Sequence, residues 1–475
     1  MAVHKKPFIV MGAHPVNGHV QPVRLVASEL IKRGYEITVL LPHAYKESFE
    51  KLDLTFISLT GIADYTEKDF DTMQPERNFW PPGLEQMTYR SIAPTRAIFR
   101  QSRALQAILR DLKGREPERP IVIVQESWFR GTVPILLRLP GLIYAPVIAL
   151  GVTPFMMPSM DFPFRGIRTF PDTSPAGRAK TKVLIRSMLP AFARPQREFQ
   201  WVLEDLGLEE GKEIPHLSER FQLPEAHLQM CIPSLELPRT DMPPNVRFIG
   251  PVSASDVDVW TDRPGWWEQI EGNAGKRDVI AVTQGTMDID YTELIIPTIE
   301  ALRDRPDTIV VVILGWRGAT LAEEINIPAH IHVMDYVPYS ELLKHSMLFI
   351  TNGGYNGVQQ ALSHGVPILK AGNDGDKLAT GNRIEWAGCG LDLWVTRPTV
   401  DQVREGVEAV LKDQKFKSRA LEMQEESKRY DPIELIVKEI EAMAVGKHSD
   451  GTDLRTPTWK SMFVDDEVAD QQVCT

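Results

Sequence analysis

The stretch at residues 347–376, MLFITNGGYNGVQQALSHGVPILKAGNDGD, leaves a chain little choice of fold. Its opening is an apolar run of strand length. Asn352-Gly353-Gly354 breaks the run. Residues 355–363 then place Val358 and Leu362 four apart on one helical face, and His364-Gly365 stops the helix before a second apolar run at 366–369. A strand, glycine turn, helix and strand in this order build a parallel sheet covered by helices. A Gly-Gly turn there lets backbone N–H groups approach an anion, and the helix N-terminus adds partial positive charge. The turn is therefore a candidate pyrophosphate cradle. Glycines needed only to make a sharp β–α bend give the same pattern.

The N-terminal half follows the same logic. Residues 8–13 predict a buried strand and 14–18 a loop; 20–33 predict a helix with Val23, Val26, Ala27 and Leu30 on one face. Gly34 closes that helix, and a second strand is expected at 37–41. The spaced Gly-x-Gly-x-x-Gly fingerprint is missing here, which disfavours a nicotinamide dinucleotide. Further strands are expected at 121–125, 142–150 and 246–251, and helices at 89–113 and 176–206. Residues 63–86, which include Phe79 and Trp80, are charged, proline-rich and irregular: a long loop or short helices over a pocket. The run GVTPFMMPSMDFPF, with Phe155 and Met156, is apolar without period. It is either loop packing or one wall of an apolar ligand site.

Composition turns polar at 253–276, and a second α/β series follows, with strands at 279–283, 308–314, 331–334 and 349–351. The fold expected is α/β, with two doubly wound, Rossmann-like domains at 1–252 and 253–430. Ligands of such sheets bind at the carboxyl edges of the strands, so a cleft between the two is the expected site. Asp431-Pro432 starts a helix, 431–445, whose stripe of Ile433, Val437, Ile440 and Met443 needs a partner, the first domain being the candidate. Residues 446–475 are polar and patternless and read as a mobile tail.

A net charge of −11 argues against a nucleic-acid partner bound by bulk electrostatics. Cys231, Cys389 and Cys474 are odd in number and far apart, unlike a disulfide framework or a cysteine zinc site. They fit a reducing compartment. The start MAVHKKPFIV has no apolar signal core, and no stretch has the length of a spanning helix. A cytoplasmic protein is expected, and a monomer. No His/Cys ligand spacing suggests a metal; no metal and no cofactor are expected.

The segments GHVQP at 18–22, PPNVRFIGPV at 243–252, VTQGT at 282–286, YVPYSELL at 336–343 and TNGGYNGVQQALSHGVPILKAGNDGDK at 351–377 occur in one order and spacing. Together they resemble the UDP-sugar-dependent glycosyltransferases of family one, which include plant secondary-product and bacterial macrolide enzymes with the GT-B fold. The resemblance implies a UDP-sugar donor and an inverting transfer in natural-product metabolism. By position, Tyr336 matches the aromatic residue that stacks on uracil, and Val337 offers backbone groups to the base edge. Asn352, Gly353, Gly354, Asn356 and Gly357 fall in the phosphate turn, and Thr286 near the phosphates. Gln360 falls where the family accepts from ribose hydroxyls, and Asp376 and Lys377 match the pair that holds sugar hydroxyls. The sequence departs from the family's pattern at Asn352 (His), Gln360 (Glu), Lys377 (Gln) and Tyr339 (Gln).

An acceptor hydroxyl is a poor nucleophile until a base takes its proton. The resemblance assigns that role to His19, with His14 as a rival in the same loop, and the orienting carboxylate to Glu126, at the end of IVIVQ. The acceptor wall is expected from Phe79, Trp80, Trp128, Phe129, Phe155 and Met156, which suits a phenol, flavonoid, polyketide or sterol. Glucose is the expected sugar. Two rivals remain: a sugar-nucleotide epimerase of the same architecture, and a non-catalytic protein binding UDP-sugar or aglycone.

Overall fold

The computed structural model describes residues 5–73, 88–163, 167–252, 260, 263–273, 275–286, 289–454, 459 and 461. Phe79 and Trp80 lie outside the described residues. The protein divides into two compact units. The first comprises Met1–Met230, Pro238–Phe248 and Pro432–Thr475, the second Cys231–Leu237 and Ile249–Asp431.

The first unit is built on seven parallel strands: β1 (Phe8–Gly12), β2 (Glu36–Leu41), β3 (Thr55–Ser58), β4 (Ile121–Glu126), β5 (Val147–Gly151), β6 (Ala226–Gln229) and β7 (Val246–Phe248). Their order is β3-β2-β1-β4-β5-β6-β7. β1 lies between β2 and β4, with Phe8 level with both Glu36 and Ile121. Both β1 and β4 are buried along their whole length, as strands covered on two faces must be. That is why they read as continuous apolar runs.

The second unit has six parallel strands: β8 (Asp278–Thr283), β9 (Thr308–Ile313), β10 (Ile331–Met334), β11 (Leu348–Thr351), β12 (Ile368–Lys370) and β13 (Gly390–Asp392). Their order, β10-β9-β8-β11-β12-β13, repeats the pattern of the first six strands of the other sheet. Each sheet therefore has one switch point, between β1 and β4 and between β8 and β11, where chain direction across the sheet reverses. Ligand sites of doubly wound sheets form there, at the carboxyl ends.

Two strands are shorter than periodicity made them. The strand expected at 142–150 is Val147–Gly151, because the backbone of Ile143 bonds the side chain of Gln106 instead of a neighbouring strand. The strand expected at 246–251 ends at Phe248 as the chain turns at Gly250, whose φ is +80°. In the second unit the helix Ile295–Ala301 starts where the N–H groups of Leu294 and Ile295 donate to the Gln284 side chain.

The helix Pro432–Ala444 buries Ile436, Val437, Ile440 and Met443 against β4 and the helix Asn17–Lys32. Beyond it, His448 Nδ1 lies 2.9 Å from Glu439 Oε1, and the N–H of Ser449 donates to Glu439 at 3.1 Å. Arg247 pairs with the same carboxylate at 2.6 Å. The stretch expected to be mobile from Gly446 is thus held in place at His448 and Ser449.

Candidate active site

The residues expected to serve as base and orienting carboxylate lie at the switch point of the first sheet. His19 sits in the first turn of the helix Asn17–Lys32, which follows β1, and its N–H donates to the Val16 carbonyl at 2.8 Å. Glu126 is the last residue of β4 and is fully buried. His19 Nδ1 lies 3.0 Å from Glu126 Oε1. The carboxylate accepts from three donors: the N–H of His14 at 3.2 Å, the Ser127 hydroxyl at 3.1 Å and the N–H of Trp128 at 3.0 Å. A carboxylate against Nδ1 favours the proton on that nitrogen and leaves Nε2 as the basic one.

The two histidines of the loop differ in kind. The His14 ring stacks on Phe70 at 6.0 Å and meets His19 edge-on at 5.3 Å. Burial, then the charges of His19, Arg130 and Arg220, hold it well below the ordinary histidine range. His14 is thereby kept neutral, and it is His19 whose ring nitrogen faces the carboxylate. Beside them, Trp128 meets His19 at 6.5 Å and donates its Nε1–H to Thr153 Oγ1 at 2.9 Å. The Arg220 guanidinium lies 4.5 Å from the Trp128 ring centre.

The other aromatic candidates divide. Phe155 packs edge-on against His227 at 5.2 Å and near Phe221 at 5.8 Å, in the same cluster as Trp128. Met156 is buried beside it in the chain. Phe129 goes elsewhere. It is 3% exposed in the core of the first sheet, where its ring fills the space that a Cβ at Gly12 or Gly131 would need. It packs the fold and does not line a ligand surface. Its place in the row WF, next to Trp128, could not separate the two roles.

The glycine turn expected to cradle a diphosphate lies at the switch point of the second sheet. Asn352 follows β11, is buried, and donates its Nδ2–H to the Gln284 carbonyl just after β8. The Gln284 side chain ties back to the Asp290 carbonyl at 2.7 Å. Gly353 has φ +97°, and a Cβ there would fall 2.6 Å from Lys370 Cε, so glycine is required on both counts. The helix Tyr355–Ser363 starts directly after Gly354 with no side-chain cap, which leaves the N–H groups of its first turn for a ligand. Asn356 is exposed in that first turn, and Gly357 and Gln360 follow it half-buried.

Thr286 is exposed beyond β8. Tyr336 is half-buried with the Arg317 guanidinium 4.7 Å from its ring centre, and Val337 is buried. Tyr339, one of the departures from the family pattern, packs on Phe349 at 5.7 Å and reaches Thr283 Oγ1 at 3.4 Å. Asp376 and Lys377 begin the helix Lys377–Ala387, also without a side-chain cap. Among the described residues, no group of three or more His, Cys, Asp or Glu is placed to hold a metal ion.

Residues 301–443 match the family model for the C-terminal domain of erythromycin biosynthesis protein CIII-like proteins. Over 447 residues the chain is 34% identical to UDP-glycosyltransferase 2 of Phaeomoniella chlamydospora, covering 92% of this chain and 96% of that protein. It is 35% identical over 445 residues to UDP-glucosyltransferase B1 of Starmerella bombicola, covering 93% and 99%. The chain belongs to the UDP-glycosyltransferase family. Its fold is shared with a solved structure, the glycotransferase of kitacinnamycin, at a TM-score of 0.64 and 20% identity over 93% of this chain and all of that one. The two parallel-sheet units of this UDP-glycosyltransferase are the two Rossmann-like domains of the GT-B fold.

Sequence reasoning missed several residues of this UDP-glycosyltransferase that the structure draws into the two half-sites. Gln284, Thr153, Arg220 and His227 each come to their place through tertiary contact, and single positions in a sequence carry no mark of that. Lys370 and Asp392 are different. A lysine inside the apolar run VPILKAG is visible as an anomaly, and it proves to be fully buried in an ion pair. Among the described residues, no helix is long and apolar enough to cross a membrane.

Proposed function

We propose that this chain moves a hexose, glucose being the expected one, from a UDP-sugar to a hydroxyl of an apolar small-molecule acceptor, with inversion at the anomeric carbon. The first unit supplies the acceptor side and the second the donor side. Support for the donor comes from the relatives named UDP-glycosyltransferase and UDP-glucosyltransferase. Support for the base comes from one observation, His19 Nδ1 at 3.0 Å from the buried Glu126 carboxylate.

His19 Nε2 takes the proton of the acceptor hydroxyl while that oxygen forms a bond to the anomeric carbon. The bond from the anomeric carbon to the phosphate oxygen breaks, and its electron pair leaves with UDP. Glu126 stabilises the imidazolium that forms, as an orienting carboxylate does in other acid–base pairs. The charge growing on UDP is met by the Gly353–Gly354 backbone and by the positive end of the helix Tyr355–Ser363, in place of a cation. No cofactor is required. Trp128, half-buried, supplies apolar surface for the acceptor, while Phe155 belongs to the same aromatic cluster and is buried, as is Met156; a flat phenolic or polyketide aglycone suits an aromatic wall.

The test is an acceptor screen read by mass spectrometry with UDP-glucose, on wild type and His19→Ala. Acceptor-dependent UDP release and a glycoside product are expected from the wild type, with turnover in the variant lowered by roughly 10²-fold or more. Near-wild-type turnover in His19→Ala removes His19 from the base role. Sugar interconversion without an acceptor removes the transferase.

A further inference from the structure

The strand β12 ends on Lys370, whose side chain is fully buried, as is that of Asp392 at the end of β13. Lys370 Nζ donates to Asp392 Oδ2 at 2.7 Å and to the Gly372 carbonyl at 2.6 Å. Three elements close on this pair. Its alkyl stem underlies the phosphate turn, since a Cβ at Gly353 would meet Lys370 Cε, Cδ and Cγ at 2.6, 3.0 and 3.2 Å. Gly372, whose carbonyl it holds, is pressed on the Asn352 backbone, where a Cβ would come within 2.5 Å of the Asn352 carbonyl oxygen. The helix Lys377–Ala387 leans on Asp392 at Gly381, where a Cβ would lie 1.8 Å from the carboxylate. The other carboxylate oxygen accepts the N–H of Trp394 at 2.9 Å, a residue held at φ +56°.

A buried ion pair is weak support for stability, since well-packed apolar residues of like volume often serve as well or better. Burial draws Lys370 down and Asp392 up, and each partner opposes the shift of the other. The pair costs the fold something that an apolar strand end would not. Its contacts point to another role: the alkyl stem of one lysine underlies the turn assigned to the diphosphate, and its ammonium holds the turn that leads to Asp376 and Lys377, assigned to the sugar hydroxyls.

We propose that Lys370, clamped by Asp392, is a positioning residue that locks the phosphate turn and the sugar turn of the donor half-site in register. This rests on the donor reading given above. UDP alone engages only the first turn, so losing the lock weakens the sugar nucleotide and spares UDP.

The test compares wild type, Lys370→Met/Asp392→Asn and Asp392→Asn, by melting temperature, UDP affinity from calorimetry, and KM and kcat for UDP-glucose. The double variant removes both charges at nearly constant volume. The expected result is a folded double variant that binds UDP within about twofold of wild type, with KM for UDP-glucose raised at least about tenfold. A folded double variant with KM within about threefold of wild type overturns the proposal, as does a loss of UDP affinity equal to the loss for UDP-glucose. Should the double variant not fold, Asp392→Asn decides on the same comparison, with KM raised at least about threefold expected and an unchanged KM overturning it. A wild type that neither binds UDP nor turns over UDP-glucose overturns the donor reading and this proposal together. Wild-type turnover with unaltered variants overturns this proposal alone.

Discussion

Glu126→Gln keeps the shape of the side chain and changes its charge and the sense of one hydrogen-bonding atom. The carboxylate accepts from the N–H of His14 on one oxygen and from Ser127 and Trp128 on the other, where His19 Nδ1 also lies at 3.0 Å. A glutamine has a single acceptor oxygen. With that oxygen toward Trp128 and His19, its NH2 faces the N–H of His14, and a buried donor goes unmet at about 1–3 kcal/mol. Flipped, its NH2 faces the N–H of Trp128 and His19 Nδ1, and the imidazole must carry its proton on Nε2, the wrong nitrogen for a base. In both orientations the imidazolium loses a charged partner at contact distance, worth about 1.5–3 kcal/mol. At about 1.4 kcal/mol per tenfold, kcat falls by roughly 10- to 150-fold in the first orientation. The inverted tautomer takes it further, on the order of 10⁴-fold. The assay is steady-state UDP release with a phenolic acceptor, with a thermal melt to confirm folding. Glu126→Asp, which keeps the charge but withdraws it by one methylene, is expected to fall between. A folded Glu126→Gln with kcat within about threefold of wild type refutes the assignment of Glu126 to the base.

Gly353→Ala forces a side chain into a left-handed backbone 2.6 Å from Lys370, so UDP affinity is expected to drop about tenfold or more with a lower melting temperature; calorimetry and a melt check both. Glu236→Ala strands the buried Arg383 guanidinium, which pairs with Glu236 and donates to the Ala379 carbonyl at 2.9 Å; urea unfolding should read a loss of about 3–5 kcal/mol in the second unit. His227 is buried and pushed down to about 4 by burial, so it folds neutral while the unfolded chain protonates near the ordinary histidine value. Its contribution to stability is whole above pH about 6.5 and is lost as pH falls toward about 4, at up to about 1.4 kcal/mol per pH unit. His227→Leu should remove that slope in urea titrations run across the window; an unchanged slope rejects the assignment.

How much could be read in advance varied by element. The buried strands β1, β4, β8 and β9 each hold an apolar run of four or more residues, as strands covered on both faces of a parallel sheet do. Their pattern was legible for that reason. The ends of the trimmed strands were not, because Gln106 reaches across the fold to take up the backbone of Ile143, and the chain turns at Gly250 with a positive φ. Phe129 and Trp128 are neighbours of similar character, yet one packs the core and the other meets His19. Which way each turns depends on Gly12 and Gly131 making room for one ring.

The sequence by itself determined the class of fold, the glycine turn after β11, and the two residues, His19 and Glu126, that stand at the two sides of one switch point. Local pattern suffices for the first two because strand burial and breakers are written in neighbouring residues; His19 and Glu126 were marked by the resemblance of motifs in one order and spacing. The tertiary structure alone decided that Glu126 Oε1 faces His19 Nδ1, that His14 is kept neutral among buried cations, and that Lys370 lies under Gly353. Each joins residues distant in the chain, and only the packing of the sheets and helices sets the distances on which a proton's position or a charge's partner depends.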